Sequence, residues 1–173
     1  MNDKSAALLS NYFIYSAMAV YTLAFFAHAV EVAWSVKTPA VSVKKTTLDF
    51  SRTARVSRLA AAFMILGFAL LLIAVVLRGI SANRFPLGNM YEFSITGALT
   101  FAAAYLFSLK KYKVVWLGLP VSIAILLTLG SAITLLYRPS APLMPALKSP
   151  WLVIHVSAAI ISGGVFLLAN CIA

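Results

Sequence analysis

Five apolar stretches, at about residues 11–34, 57–77, 91–109, 114–137 and 150–173, alternate with short connections that collect most of the charge. Each is close to the roughly 20 apolar residues that a helix needs to cross the hydrocarbon core of a bilayer. Soluble domains carry about a quarter charged residues. Here 10% are charged, 62% are hydrophobic and the mean hydropathy is +0.97. The expected class is therefore all-α: a polytopic transmembrane helix bundle of about five spans, forming one domain over residues 1–173. The fifth stretch is still apolar at Ala173, which points to the N-terminal part of a longer protein.

The net charge of +10 invites a nucleic-acid reading, but its distribution argues against one. Lys37, Lys44, Lys45, Arg52, Arg55 and Arg58 lie between the first two spans against one acid, Asp49, and Lys110, Lys111 and Lys113 lie between the third and fourth. The alternate connections carry less: Arg78 and Arg84 before Glu92, then Arg138 and Lys148. Basic loops of this kind face the cytoplasm, which puts the N-terminus outside and makes anionic lipid headgroups the counterions. The N-terminal segment lacks a basic n-region, and its apolar run is long enough to span rather than be cleaved. The single cysteine, Cys171, excludes an internal disulfide or a CxxC pair.

Both outer connections are distinctive. In Arg84–Phe93, Pro86, Gly88 and Asn89 are turn residues. Asn89 is placed to cap the third helix, with Glu92 three residues later completing a capping-box-like pair. The same stretch reads equally as a tight re-entry turn with an aromatic belt of Phe85, Tyr91 and Phe93. The second connection holds Pro139, Pro142, Pro145 and Pro150, a density that predicts a stiff, extended segment along the bilayer surface.

His155 then sits about one turn inside the fifth span, four residues after Trp151 and on nearly the same helical face, with Ser162 beyond it and Gly163 and Gly164 alongside. Ionisable or metal-binding groups are rare at such depth and are functional candidates when they occur. A neutral imidazole there can ligate haem iron, or it can bridge two helices by a hydrogen bond. His28 lies deeper, near the cytoplasmic half of span one, with Glu31 three residues on and Trp34 as an interfacial anchor. That pair suits a proton relay or a fixed imidazole tautomer, and equally a satisfied polar pair. Ser122, Thr128, Ser131 and Thr134 give span four a mild polarity explained by helix packing, and Pro120 is placed to kink it. There is no phosphate-binding loop, paired-carboxylate site or Ser/His/Asp set, and four acidic residues leave little room for acid–base catalysis.

Two stretches resemble the CcsA/ResC-type cytochrome c biogenesis family of haem-handling membrane proteins (often labelled CcsB in actinobacteria). Arg84–Phe93 is similar to the family motif F-P-x-x-N-x-Y-E, and Leu147–Ser157 to L-x-S-x-W-L-x-x-H-V. The resemblance implies a multi-pass cell-membrane protein with its site on the outer face. It implies that the histidine matching His155 is an axial ligand to haem iron, beside Trp151, with Asn89, Tyr91 and Glu92 as further candidates; His28 falls in no family motif and stays a candidate on its residue chemistry alone. The implied cargo is haem b, presented for thioether attachment to the CxxCH cysteines of apocytochrome c in a system II type pathway, with a ResB-type membrane partner. Such a chain is part of a cytochrome c synthase (haem lyase) complex. The family's tryptophan-rich WxWD-type loop and second external histidine are absent from these 173 residues, which implies that this chain alone is inactive in ligation. The competing reading from another class is a cofactor-free structural or assembly protein with His155 as a helix bridge. A small transporter is disfavoured, since no internal repeat or pair of broken helices is evident.

Overall fold

A computed structural model describes residues 3–36, 47–112, 114–138 and 149–172. It is all-helical there: α1 (Asp3–Val36), α2 (Thr47–Ala82), α3 (Met90–Tyr112), α4 (Gly118–Thr134), entered through a 3-10 turn at Val115–Leu117, and α5 (Pro150–Ile172). All five are long and apolar enough to cross a membrane. The expected bundle of five spans is what the chain builds.

The bounds differ from the hydropathy reading in an instructive way. With 34 and 36 residues, α1 and α2 extend roughly 50 Å at 1.5 Å per residue, well beyond a hydrocarbon core of about 30 Å. Their ends run on as helix through polar sequence because backbone hydrogen bonds continue regardless of the surrounding solvent. Span four is shorter than its apolar run: α4 starts at Gly118 and its regular hydrogen bonding ends by Leu135. Pro120 falls in its first turn. In the first turn the backbone N–H groups have no intrahelical acceptor, so a proline there removes nothing.

The α1–α2 pair is the backbone of the fold. Buried residues recur on α1 at Ser10, Ile14, Ala17, Tyr21, Ala24 and His28, and on α2 at Ala60, Met64, Leu71, Ala74 and Arg78. This alternation of three and four is the seam of two helices packed side by side. Two contacts show the pair to be antiparallel. The Ser10 hydroxyl donates to the Ala74 carbonyl at 2.8 Å, and the Tyr21 ring lies where a Cβ on Gly67 would come within 2.9 Å of it. Large apolar side chains such as Leu23, Phe26, Ile65, Leu66 and Ile73 face outward, as they do when the surrounding medium is lipid.

α3 and α4 close over this pair through Ile95, Phe101, Tyr105, Val121, Ile125 and Leu129, all buried. The hydroxyls of Ser122, Thr128, Ser131 and Thr134 donate to carbonyls three or four residues back in α4, so the polarity of that helix is satisfied within it. α5 is attached differently, chiefly against α3. Among its described side chains Ile160 and Gly164 are the buried ones, and a Cβ on Gly164 would lie 3.3–3.5 Å from Thr100 and Phe101.

Candidate functional site

At one end of the bundle the turn between α2 and α3 assembles a buried charge cluster. α2 ends in a Schellman arrangement: Asn83 adopts φ 53°, its N–H donates to Ile80 O at 3.1 Å and that of Arg84 to Gly79 O at 3.2 Å. Asparagine tolerates this left-handed conformation better than most residues. The reversal folds Arg84 back toward the start of α3. There the Asn89 side chain caps the helix as expected, its Oδ1 accepting from the Glu92 N–H at 2.8 Å. The reciprocal half of the capping box does not form. The Glu92 carboxylate reaches one residue further, to the Gly88 N–H at 2.9 Å, because two guanidiniums compete for it. Arg84 donates to its two oxygens at 2.7 and 3.4 Å, and Arg78 approaches at 3.5 Å.

Arg78, expected as loop charge, is instead a buried helical residue. It lies inside α2 and is 1% exposed, beside a fully buried Glu92. Its guanidinium also donates to the Arg138 carbonyl and stacks 4.9 Å from the centroid of the Tyr91 ring. Tyr91 is likewise not the belt residue proposed for it. It is 1% exposed, packs edge-on against Tyr137 at 5.3 Å and donates to Asn11 Oδ1 at 3.3 Å, while Asn11 Nδ2 donates to the Tyr137 hydroxyl at 3.0 Å. Phe85 remains outward at 71% exposure, and Phe93 is marginal at 36%. The signal that would have found Arg78 is an arginine within an apolar run with one acid within reach in the next connection, since an intramembrane charge needs a partner.

His155 stands at the same end, on α5. It is exposed, like Trp151 (77% exposed), Ser162 and Phe166. Gly164 is nine residues further on, which at about 100° per residue puts it some 180° round the helix from His155. Packing of Gly164 on α3 therefore turns the Trp151–His155–Ser162 face directly away from the bundle. The shared face inferred from spacing is present, and small residues (Ala158, Ala159, Gly163) flank the imidazole along it. Asn89, Tyr91 and Glu92 are brought together; His155 is not joined to them. The stiff proline segment proposed between α4 and α5 falls, except for Pro150, outside the described residues.

His28 lies at the opposite end. It is 1% exposed, and its Nδ1 meets Glu31 Oε2 at 3.2 Å, so the expected His–Glu pair forms. Its ring lies flat against the start of α4, where a Cβ on Gly118 would run into it. Nε2 has no hydrogen-bond partner among the described residues, and the same holds for the hydroxyls of Tyr21 and Tyr105. No group of three or more His, Cys, Asp or Glu able to hold a metal ion occurs among the described residues.

Over most of its length this chain is similar to proteins described as cytochrome c biogenesis protein CcsA. It is 30% identical to that of Porphyra purpurea over 134 residues, 76% of this chain and 42% of the relative. The Chlorella vulgaris protein is 35% identical over 60% of this chain and 34% of its own length. That of Picosynechococcus is 34% identical over 56% and 29% respectively. No protein-family model and no solved structure matches the chain. The chain spans less than half the length of these relatives, and over that part it is a homologue of the CcsA cytochrome c biogenesis proteins.

Proposed function

We propose that the protein works in cytochrome c biogenesis by binding haem through His155 and presenting it to apocytochrome c. The observation that carries this reading is the direction of the His155 face. An imidazole set in an apolar span and turned away from the other described helices is a functional candidate. Trp151 one turn before it and small residues beside it leave room for a flat apolar body. In this reading the end carrying Arg84 and His155 faces outward, with the N-terminus on the same side, as the lysine and arginine distribution supports.

The cargo is haem b, and its iron takes the neutral imidazole as one axial ligand. Each CxxCH thiol of the acceptor adds across a haem vinyl group, forming a C–S bond while the proton passes to the other vinyl carbon. That chemistry belongs to the haem and the acceptor. The protein holds iron and ring plane in place. A ResB-type membrane partner, anionic lipids and location in the cell membrane complete the proposal, as does the reading of this chain as one part of the synthase. The buried Arg78–Glu92–Arg84 cluster is a positioning element here: through Arg138 it fixes the point where the chain leaves α4 toward α5.

The test is the visible spectrum of the protein purified in mild detergent from cells making ample haem. A low-spin Soret band, lost or shifted in His155→Ala and partly restored by imidazole in His155→Gly, is the expected result. Absence of haem from every form returns His155 to the role of a helix bridge.

A further inference from the structure

Among the described residues, the buried His28 Nε2 and the buried hydroxyls of Tyr21 and Tyr105 have no hydrogen-bond partner. Two of these three atoms belong to one layer of the bundle. α1 packs against α2 and α4, α3 packs against the same two, and α1 and α3 therefore face one another across the axis. They run in the same direction: the Tyr91 hydroxyl meets Asn11 at the Arg84 end, and Tyr105 lies within electrostatic reach of Glu31 at the other. Tyr105 is fourteen residues beyond Tyr91, close to four turns and about 21 Å along the axis, so it stands on nearly the same face of α3. Its hydroxyl is thereby carried to the turn of α1 that precedes His28, opposite the imidazole. Tyr21 belongs to another layer. Its ring leans back to Gly67, seven residues from the Ala74 that lies opposite Ser10, and so points away from His28.

We propose that this layer is a binding site for one buried water molecule, which accepts a hydrogen bond from the Tyr105 hydroxyl and donates one to His28 Nε2. Nδ1 faces the Glu31 carboxylate at 3.2 Å, and an ionised carboxylate can only accept. Nδ1 therefore carries the ring hydrogen, and Nε2 presents its lone pair. Buried polar groups are nearly always matched by protein or by ordered water, and leaving two of them bare costs more than immobilising one water. His28 and Tyr105 are 1% and 0% exposed, so the described helices already close round both and only a water-sized partner fits between them. The Gly118 backbone closes the α4 side of the ring, which leaves the α3 side, where Tyr105 stands. Two polar partners are enough to hold a buried water. The chain Tyr105–water–His28–Glu31 then ends on a carboxylate that is 15% exposed, and it fixes the imidazole as the Nδ1–H tautomer.

Solid-state 15N NMR of the chain reconstituted in lipid bilayers tests this, with labelled histidine and with His155→Ala so that His28 is the one imidazole in the sequence. Three results are expected: a protonated Nδ1, an Nε2 resonance displaced from the bare-imine position by an accepted hydrogen bond, and magnetisation reaching Nε2 from water protons. Tyr105→Phe keeps the ring and removes the hydroxyl. It should weaken the transfer from water and move Nε2 back toward the bare-imine position, whereas Tyr21→Phe, in the other layer, should do neither. A bare-imine Nε2 with no transfer from water overturns the proposal. So does a hydrogen-bonded Nε2 without water contact, which assigns the bond to a protein donor, and so does an Nε2 signal indifferent to Tyr105→Phe or equally sensitive to Tyr21→Phe. Where the Tyr105 variant folds poorly, the spectrum with Tyr105 in place decides between a hydrated and a dry site. Because His155 is replaced throughout, haem ligation has no bearing on any of these outcomes.

Discussion

Glu92 and His28 are both buried at the ends of the helix bundle, and their surroundings differ in kind. Glu92 accepts from a backbone N–H and from the Arg84 guanidinium, with a second guanidinium at 3.5 Å. His28 has Glu31 on one nitrogen and, among the described residues, nothing on the other. The difference follows from what each group can do without water. A carboxylate stranded in low dielectric is costly, so it is buried only within a shell of donors. An imidazole can be buried uncharged, and leaving one nitrogen unmatched costs about 1–3 kcal/mol. The Arg84 end is consequently held by polar bonds, whereas the His28 end is held by shape, with the ring laid against a glycine.

The sharpest way to break this contrast is Glu92→Ala. It strands two guanidiniums, one of them 1% exposed, and should cost about 3–5 kcal/mol, seen as loss of the monodisperse peak on size exclusion after detergent extraction. Normal accumulation and thermal stability would show that the cluster is not what holds this end. Next comes Gly118→Ala, whose Cβ meets the His28 ring. Overpacking of this kind costs about 1–3 kcal/mol and should lower Tm. In the double variant with His28→Ala the penalty should fall, because the two sites are in contact; strict additivity would deny that the ring rests on Gly118. Asn89→Ala removes the α3 cap at about 1 kcal/mol, a smaller loss of Tm confined to the polar end. Smallest of all, His155→Ala should change Tm by no more than about 0.5 kcal/mol allows, since the residue is exposed on α5, yet it should abolish cytochrome c maturation in cells. A large drop in Tm would place His155 in the structural class with His28.

The number and order of the spans were legible because hydropathy alone decides them, and the Asn89 cap and the His28–Glu31 pair because both are local. The true reach of α1 and α2 was not, since a helix does not stop where lipid does. Nor was the place of Arg78. Charge near a span end reads as loop, and only the Schellman turn at Asn83 shows that α2 runs past it. Glu92 was read as a partner for Asn89 on spacing, but its side chain follows the stronger field of two arginines. For His155, spacing established which residues share its face, while the direction of that face depends on where Gly164 meets α3, a tertiary fact with no local signature.

The bond from Arg78 to the Arg138 carbonyl has one more consequence. The polypeptide sets out for α5 from a mooring made by charges on α2 and α3, and α5 is held laterally along one side. A helix held along one edge presents the other, so His155 stands on the side of α5 that the described helices leave uncovered.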